Sequence, residues 1–323
     1  MQKIICTVIV VTYNGKRWYD KCFQSLLSSS IPLNIIVIDN KSTDDSVSYI
    51  TNRFPKIKVI QSKENLGFAR ANNIGLKIAY NNNNDYYFLL NQDAWVEYDT
   101  IETLINVAKK EQDFGLLNPI HLTSDKTFFE PCFRNYFHSR SETISAYENL
   151  YLKKQEPVLY ESTFVNAAAW LITRKCIETV GGFDTILFKH YGEDNNYCQR
   201  VLFHKLKIGI VPSVTICHDT TYRVNSPMSV LDDCIFFSVK WGNILLPTKK
   251  YFIYLVKYFI KAIFGKGTKK YFKEVFWVIN NIKNITKSRK VNKIAGKGLE
   301  YIEDSNNINN VVILHEGHHA TET

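Results

Sequence analysis

Paired cysteines are missing from this chain. Its seven cysteines, at positions 6, 22, 132, 176, 198, 217 and 234, are odd in number, scattered and never spaced as CxxC. That argues against a disulfide framework and a zinc ribbon, and points to reduced, buried thiols in a cytosolic protein. Neither GxGxxG nor GxxxxGK followed by Ser or Thr occurs, so dinucleotide-binding and P-loop readings lose their main support. There is no internal repeat, and no recognised nucleic-acid-binding motif accompanies the basic residues. Residues 251–264 are the strongest apolar stretch, but Lys257 and Lys261 interrupt it and it is too short for a membrane span. Residues 4–11 run straight into Thr12-Tyr13-Asn14-Gly15 with no cleavage site, which reads as a first strand rather than a signal peptide. His315-Glu316-Gly317-His318-His319 matches HExxH formally. A Gly where a helix is needed, a place at the chain's end and no downstream third ligand argue against catalytic zinc.

What is present is a globular composition, 45% hydrophobic and 22% charged over 323 residues, enough for one large α/β domain or two smaller ones. The formal charge of +9 is unevenly spread. Residues 249–297 hold 14 Lys or Arg and a single acid, Glu274, a local +13 that leaves −4 for the rest of the chain.

The first hundred residues alternate strand and helix signals. Residues 4–11, 34–38, 58–61 and 86–90 read as strands, the first two β-branched and continuous as in a sheet buried on both faces. Helical spacing falls on 16–28, on a stretch opened by Asp44-Asp45, and on 65–80. This βαβαβ order predicts a parallel sheet with right-handed crossovers. Residues 121–160 read as an irregular surface excursion suited to an acceptor loop. Helices are expected at 174–180, closed by Gly181-Gly182, and at 198–203. A strand leads from 207 through Pro212 to His218.

Four segments are expected to converge on one crevice: Thr12-Tyr13-Asn14-Gly15, Asp39-Asn40 and Asn91-Gln92-Asp93, each just past a predicted strand, and Asn65 to Arg70, which opens a helix. In open α/β sheets the ligand crevice lies at the carboxyl ends of the strands. Tyr13 suits stacking on a base, Asp39 accepting a hydrogen bond from a base or ribose, Gly67 close backbone approach, and Arg70 a phosphate. An acid at position 93 is placed to hold a divalent cation, and through it a diphosphate. Ordinary turn chemistry explains any one of these segments alone. Further on, Glu193-Asp194 beside aromatic residues reads either as a general base in a desolvated setting or as an acidic helix N-terminus.

At these residues the chain resembles the family 2 glycosyltransferases of the GT-A fold. The matching segments are VIVVTYNG (8–15), IIVIDNKSTDDS (35–46), NLGFARANNIG (65–75), LLNQDAWV (89–96), AAAWLITRK (167–175), VGGFDTILFKHYGEDNNYCQR (180–200) and KIGIVPSVTICH (207–218). They cover about the first 220 residues in order, closest to the rhamnosyltransferase-like branch with its Asn-x-Asp motif. The resemblance implies an α/β fold of the nucleotide-diphospho-sugar transferase type, a mostly parallel sheet flanked by helices, with a C-terminal helical extension. It implies an inverting enzyme that moves a sugar, rhamnose favoured, from a nucleoside-diphosphate sugar to a glycan or lipid-linked acceptor in bacterial surface-polysaccharide synthesis. Thr12, Tyr13, Asn14, Asp39, Asn65, Gly67, Arg70, Asn91 and Gln92 would bind the donor. Asp93 and His218 would hold Mg2+ or Mn2+, although His218 also reads as an ordinary strand-end histidine. Asp194 would be the catalytic base and Glu193 would position the acceptor. Asn91 stands where the family's first acid stands, one carboxylate fewer, and Asn166-Ala167-Ala168 replaces the commoner Gly-Ala start of its motif.

The expected organisation is a catalytic domain over 1–245, a basic aromatic helical segment over 246–300 and a polar tail over 301–323. Lysines four apart among aromatics in 249–297 suit an anionic membrane surface, with packing on the catalytic domain as the other reading. The chain is thus expected in the cytoplasm, peripheral on the inner face of the cell membrane, with no nucleic-acid partner. The competing class is a catalytically silent nucleotide-sugar-fold protein that binds membrane or partners through its basic segment.

Overall fold

A computed structural model describes residues 5–139, 149, 152, 157–188, 191–221, 230–264, 268–303 and 311–315. Ten strands form one sheet: β1 (Cys6–Thr12), β2 (Asn34–Asp39), β3 (Lys58–Ser62), β4 (Tyr86–Asn91), β5 (Ala94–Val96), β6 (Phe114–Leu122), β7 (Tyr160–Ser162), β8 (Ala169–Thr173), β9 (Lys207–His218) and β10 (Val311–His315). Their order is β10-β3-β2-β1-β4-β8-β6-β9-β5, with β7 also on β9. The block β3-β2-β1-β4 is parallel, as the βαβαβ alternation predicts, and β8 then runs antiparallel to β4. Strand order reverses at β1, which lies between β2 and β4, so a switch-point crevice opens at their carboxyl ends.

Helices cover both faces. On one side lie α1 (Lys16–Leu27), α2 (Ser46–Arg53) and α4 (Thr100–Lys110); on the other lie α3 (Gly67–Asn81), α5 (Pro131–Ser139), α6 (Arg174–Val180) and α7 (Glu193–Phe203). Strand β1 shows why its run is unbroken: Val8 and Val10 pack with the first helix layer and Ile9 with the second. Period-2 alternation between two covered faces makes the run almost wholly apolar, and the polar Thr7 within it is buried with its Oγ1 accepting from Asn84 Nδ2 at 2.6 Å. Strand β9 runs unbroken through Pro212, because the pairing with β6 shifts there: Val211 lies opposite Pro119 and Thr215 opposite Ile120. Proline lacks a ladder N–H, so it sits in the stretch where the ladder is interrupted.

Two elements depart from the sequence reading. Helix α5 arises inside the stretch read as irregular; Phe133, Tyr136 and Phe137 recur at helical spacing and are buried. The tail is not wholly polar coil: Val311–His315 adds antiparallel to β3 at the sheet edge. An edge strand offers unpaired backbone groups, and the β-branched Val311, Val312 and Ile313 suit pairing there. The remainder of the HExxH match and residues 304–310 of the tail lie outside the described residues.

The C-terminal segment forms α8 (Val230–Gly242), α9 (Thr248–Phe264), α10 (Thr268–Asn292) and the short α11 (Glu300–Glu303). Trp241, Tyr251, Val278 and Ile285 make a separate small core with Leu187 and Phe188. Glu274, the only acid among residues 249–297, is buried and accepts bonds from Lys240 Nζ at 2.6 Å and Trp241 Nε1 at 2.7 Å. The end of α10 is tied to the main body: Asp184 accepts from Ser288 Oγ at 2.5 Å and from Asn292 Nδ2 at 2.8 Å. The outer face of α9 is different. Phe252, Ile253, Val256, Phe259, Ile260, Ile263 and Phe264 follow one helical stripe and are exposed, Phe264 at 82%. No helix among the described residues is long and apolar enough to cross a membrane.

Candidate active site

The crevice at the ends of β1, β2 and β4 is a cleft of about 1120 Å³. Thr12, Tyr13, Asn65, Gly67, Asn91, Gln92, Asp93, Glu193 and Asp194 all line it. Asp93 stands two residues past the end of β4 and Asp194 sits in the first turn of α7, so residues about a hundred apart in sequence share one cavity.

The floor is built by loop-to-loop hydrogen bonds. Gln92 clamps the loop after β1, with Oε1 accepting from Tyr13 N at 2.9 Å and Nε2 donating to Tyr13 O at 3.1 Å. Its amide is therefore occupied in shaping the lip that presents Tyr13, which is 45% exposed. Asn14, at φ 48°, accepts from Thr43 N at 2.9 Å and joins the β1 and β2 loops. Asn tolerates this left-handed conformation because its short side chain bonds locally.

Three residues expected to bind the donor lie elsewhere. Asn14 is not in the lining, because its side chain is spent on Thr43. Asp39 is fully buried beneath the floor, accepting from Ser42 N at 3.0 Å and Ser42 Oγ at 2.5 Å, with Thr12 Oγ1 at 3.3 Å. Its neighbour Asn40 lines the cleft instead and ties the loop to α3: its Oδ1 accepts from Leu66 N at 2.7 Å, and its Nδ2 donates to Asn65 Oδ1 at 2.9 Å. Arg70 is exposed and outside the lining. The first turn of α3 turns Gly67 and Phe68 to the cleft, and Arg70 falls about 200° around the helix from Phe68.

Opposite the floor, Tyr191 (φ 63°) and Gly192 (φ 84°) form a left-handed pair that opens α7 and delivers Glu193-Asp194 to the cleft. Lys189 and His190, in the same motif, lie outside the described residues. Asp194 Oδ1 accepts from Asn195 N at 2.7 Å and Asn195 Nδ2 at 3.2 Å, which fixes the carboxyl while Oδ2 has no hydrogen-bond partner among the described residues. Burial pushes the Asp194 carboxyl above its ordinary range. Glu193 is more enclosed: desolvation, with a smaller contribution from the Asp194 charge, raises it to about 7. Its Oε2 has no hydrogen-bond partner among the described residues.

The donor atoms at the end of β4 suit a cation. His218, the last residue of β9, places Nε2 3.3 Å from Asp93 Oδ1 and 3.5 Å from Asn91 Nδ2. An oxygen and an imidazole nitrogen this close fit one divalent ion. Behind them lie two residues that the sequence reading missed, His121 on β6 and Glu130 just before α5. Burial, and then the nearby His218, hold the His121 imidazole well below its ordinary pKa. Pro131 at the first position of α5, after an acid, marks that helix start in the sequence. Nothing local marks His121, because its neighbours come from a distant strand.

Residues 7–178 match the family model described as Glycosyl transferase family 2. The chain is 22% identical over 212 residues to dTDP-rhamnosyl transferase RfbF of Shigella flexneri, covering 65% of this chain and 67% of that protein. It is 23% identical over 236 residues to N-acetylglucosaminyl-diphospho-decaprenol L-rhamnosyltransferase of Mycobacterium tuberculosis, covering 66% and 76%. With glycosyltransferase GlyA of Streptococcus pneumoniae it shares 28% identity over 152 residues, 45% of this chain but 21% of the relative, so it spans about a fifth of that protein's length. Among solved structures, GalNAc-T7 with UDP, GalNAc and Mn2+ aligns at TM-score 0.60 and 14% identity, covering 95% of this chain and 57% of that one. Staphylococcus aureus TarS 1–349 in complex with UDP-GlcNAc aligns at 0.56 and 13%, covering 95% and 92%. At these identities the likeness is one of fold, the GT-A fold.

Proposed function

Because the chain belongs to glycosyl transferase family 2, we propose that it moves a sugar from a nucleoside-diphosphate sugar to a hydroxyl of a glycan or lipid-linked acceptor. Rhamnose is the favoured sugar, because two relatives are rhamnosyltransferases by name, and surface-polysaccharide synthesis is the setting. The observation that carries this reading is the meeting of Asp93 and Asp194 in one cleft. Asp194 takes the proton of the acceptor hydroxyl as that oxygen bonds to the anomeric carbon. The bond from that carbon to the diphosphate breaks on the opposite face, and configuration inverts. One displacement needs one base, unlike glycoside hydrolysis with its two carboxyl groups. Asp93 and His218 would hold Mg2+ or Mn2+, which when bound neutralises charge on the departing diphosphate. Glu193 positions the acceptor beside the base, and Tyr13 lies at the lip for the nucleotide base.

The test is a thermal-shift screen with dTDP-rhamnose, UDP-galactose, UDP-glucose and GDP-mannose in the presence of Mn2+. The unfolding midpoint rises, most with dTDP-rhamnose, because a ligand bound only by the folded state stabilises it. No shift with any donor contradicts donor binding and favours the silent class.

The exposed stripe on α9, with exposed Lys249, Lys250, Lys257, Lys269 and Lys270 around it, supports attachment to the inner membrane face at an anionic surface. Full-length protein is expected to float with anionic vesicles at low salt and to come off as salt rises. Folded protein that stays off such vesicles at low salt refutes the attachment.

A further inference from the structure

We propose that His121, Glu130 and His218 form a buried site for a resident first-row divalent metal ion of the Zn2+ type, bound without nucleotide. One ligand atom from each residue lies within 4.8 Å of the others. All three side chains are shut off from solvent, at 0%, 0% and 1% exposure. Asp93, whose side chain keeps 15% exposure to the cleft, is not one of the three. The site therefore lies inward of the proposed donor cation and shares His218 with it.

The surroundings are those of a built site. Strands β6 and β9 run side by side, which brings His121 and His218 together with ring centroids 6.2 Å apart. The chain then turns back on itself. Thr123 N donates to Phe128 O at 2.9 Å, Leu122 bridges Phe129, and Glu130 N donates to His121 O at 2.9 Å. Glu130 Oε2 accepts from Phe133 N at 2.8 Å, which caps α5 and fixes the carboxyl. Three ligands are thus set before any ion arrives.

The polar atoms left over call for a ligand. Among the described residues, both ring nitrogens of His121 and Glu130 Oε1 have no hydrogen-bond partner, and Glu130 has no cationic partner. Buried polar groups are ordinarily satisfied, and a carboxylate enclosed with two imidazoles lacks what it needs unless a cation sits among them. Two imidazole nitrogens and one carboxylate oxygen match the donor set of Zn2+ sites with an open fourth position. Mg2+, which prefers oxygen ligands and retained water, fits poorly. An ion here would fix the His218 ring against Asp93.

The proposal does not rest on the transfer reading, because the ion is measured without donor. Full-length protein is equilibrated with Zn2+ or Mg2+ alone, desalted, and analysed by mass spectrometry of the metal, with thermal melts in parallel. We expect about one Zn2+ per chain for the wild type and for Asp93→Asn, a rise in melting temperature on adding Zn2+, and no retained Mg2+. Glu130→Gln keeps an acceptor for Phe133 N–H, so the cap and fold persist, while Zn2+ affinity falls at least about tenfold; His121→Gln behaves alike. Folded wild-type protein that retains no Zn2+ overturns the site. So does equal retention in Glu130→Gln and His121→Gln, or loss confined to Asp93→Asn, which would assign the ion to the cleft.

Discussion

Asp194→Asn lowers the turnover of sugar transfer by about 10²–10⁴-fold, the span typical of losing a positioned general base. The substitution keeps the size of the side chain and an acceptor oxygen for the Asn195 N–H that Asp194 now binds. Donor affinity is expected to stay within about twofold, because the lost interaction acts on the acceptor proton and is felt in the transition state. Turnover should also carry a pH signature. Burial raises both Asp194 and Glu193, the latter to about 7. The base form of Asp194 is present above its raised pKa and is lost as pH falls through it, so the wild-type rate declines on the acid side at a higher pH than an ordinary carboxylate would give. Steady-state kinetics of wild type, Asp194→Asn and Glu193→Gln across about pH 5 to 9, the span that brackets such a raised carboxylate, check this. A variant Asp194→Asn with wild-type turnover removes Asp194 from the chemistry.

Gly181→Ala is expected to destabilise the fold by about 2–6 kcal/mol, combining backbone strain of about 1–3 with overpacking of about 1–3. At φ 81° and ψ −154° this residue occupies a region that glycine alone adopts readily. A methyl group there would also overlap the backbone of Gly298. The two chain segments meet closely because Gly182 N donates to Gly298 O at 3.1 Å and Gly296 N to Thr179 O at 2.9 Å. Arg200, fully buried, donates to Gly182 O at 2.6 Å and to Val180 O, so α7 hangs from the same seam. Gly296→Ala is the internal comparison. Its φ is 78°, yet its nearest neighbour would be Glu178 O at 3.5 Å, so only the left-handed cost of about 1–2 kcal/mol applies. Urea unfolding of both variants, with midpoints compared at constant m, separates strain from overlap. Equal losses in the two would contradict the packed seam.

The strands are legible in the sequence wherever burial is two-sided. Runs such as 34–38 and 86–90 hold apolar residues at nearly every position, and β2 and β4 appear there within a residue. The start of α7 is less so: helical spacing shows from 198, whereas the left-handed Tyr191-Gly192 pair begins the helix at Glu193. Within the cleft, Asp93, Gly67 and Asp194 follow from their places at strand and helix ends. Asn14, Asp39 and Arg70 do not fall where expected, because local hydrogen bonds and helical phase decide where each side chain turns. His121 and Glu130 are invisible for a different reason. Their partnership with His218 depends on the β6–β9 register, a long-range pairing that no short window contains.

Release of nucleoside diphosphate by purified full-length protein, from dTDP-rhamnose with a glycan acceptor and Mn2+, tests the central claim most directly. The predicted result is release that requires acceptor, collapses in Asp194→Asn and weakens in Asp93→Asn. No release from dTDP-rhamnose or from UDP-galactose, UDP-glucose or GDP-mannose, under conditions where the protein is folded, would contradict it.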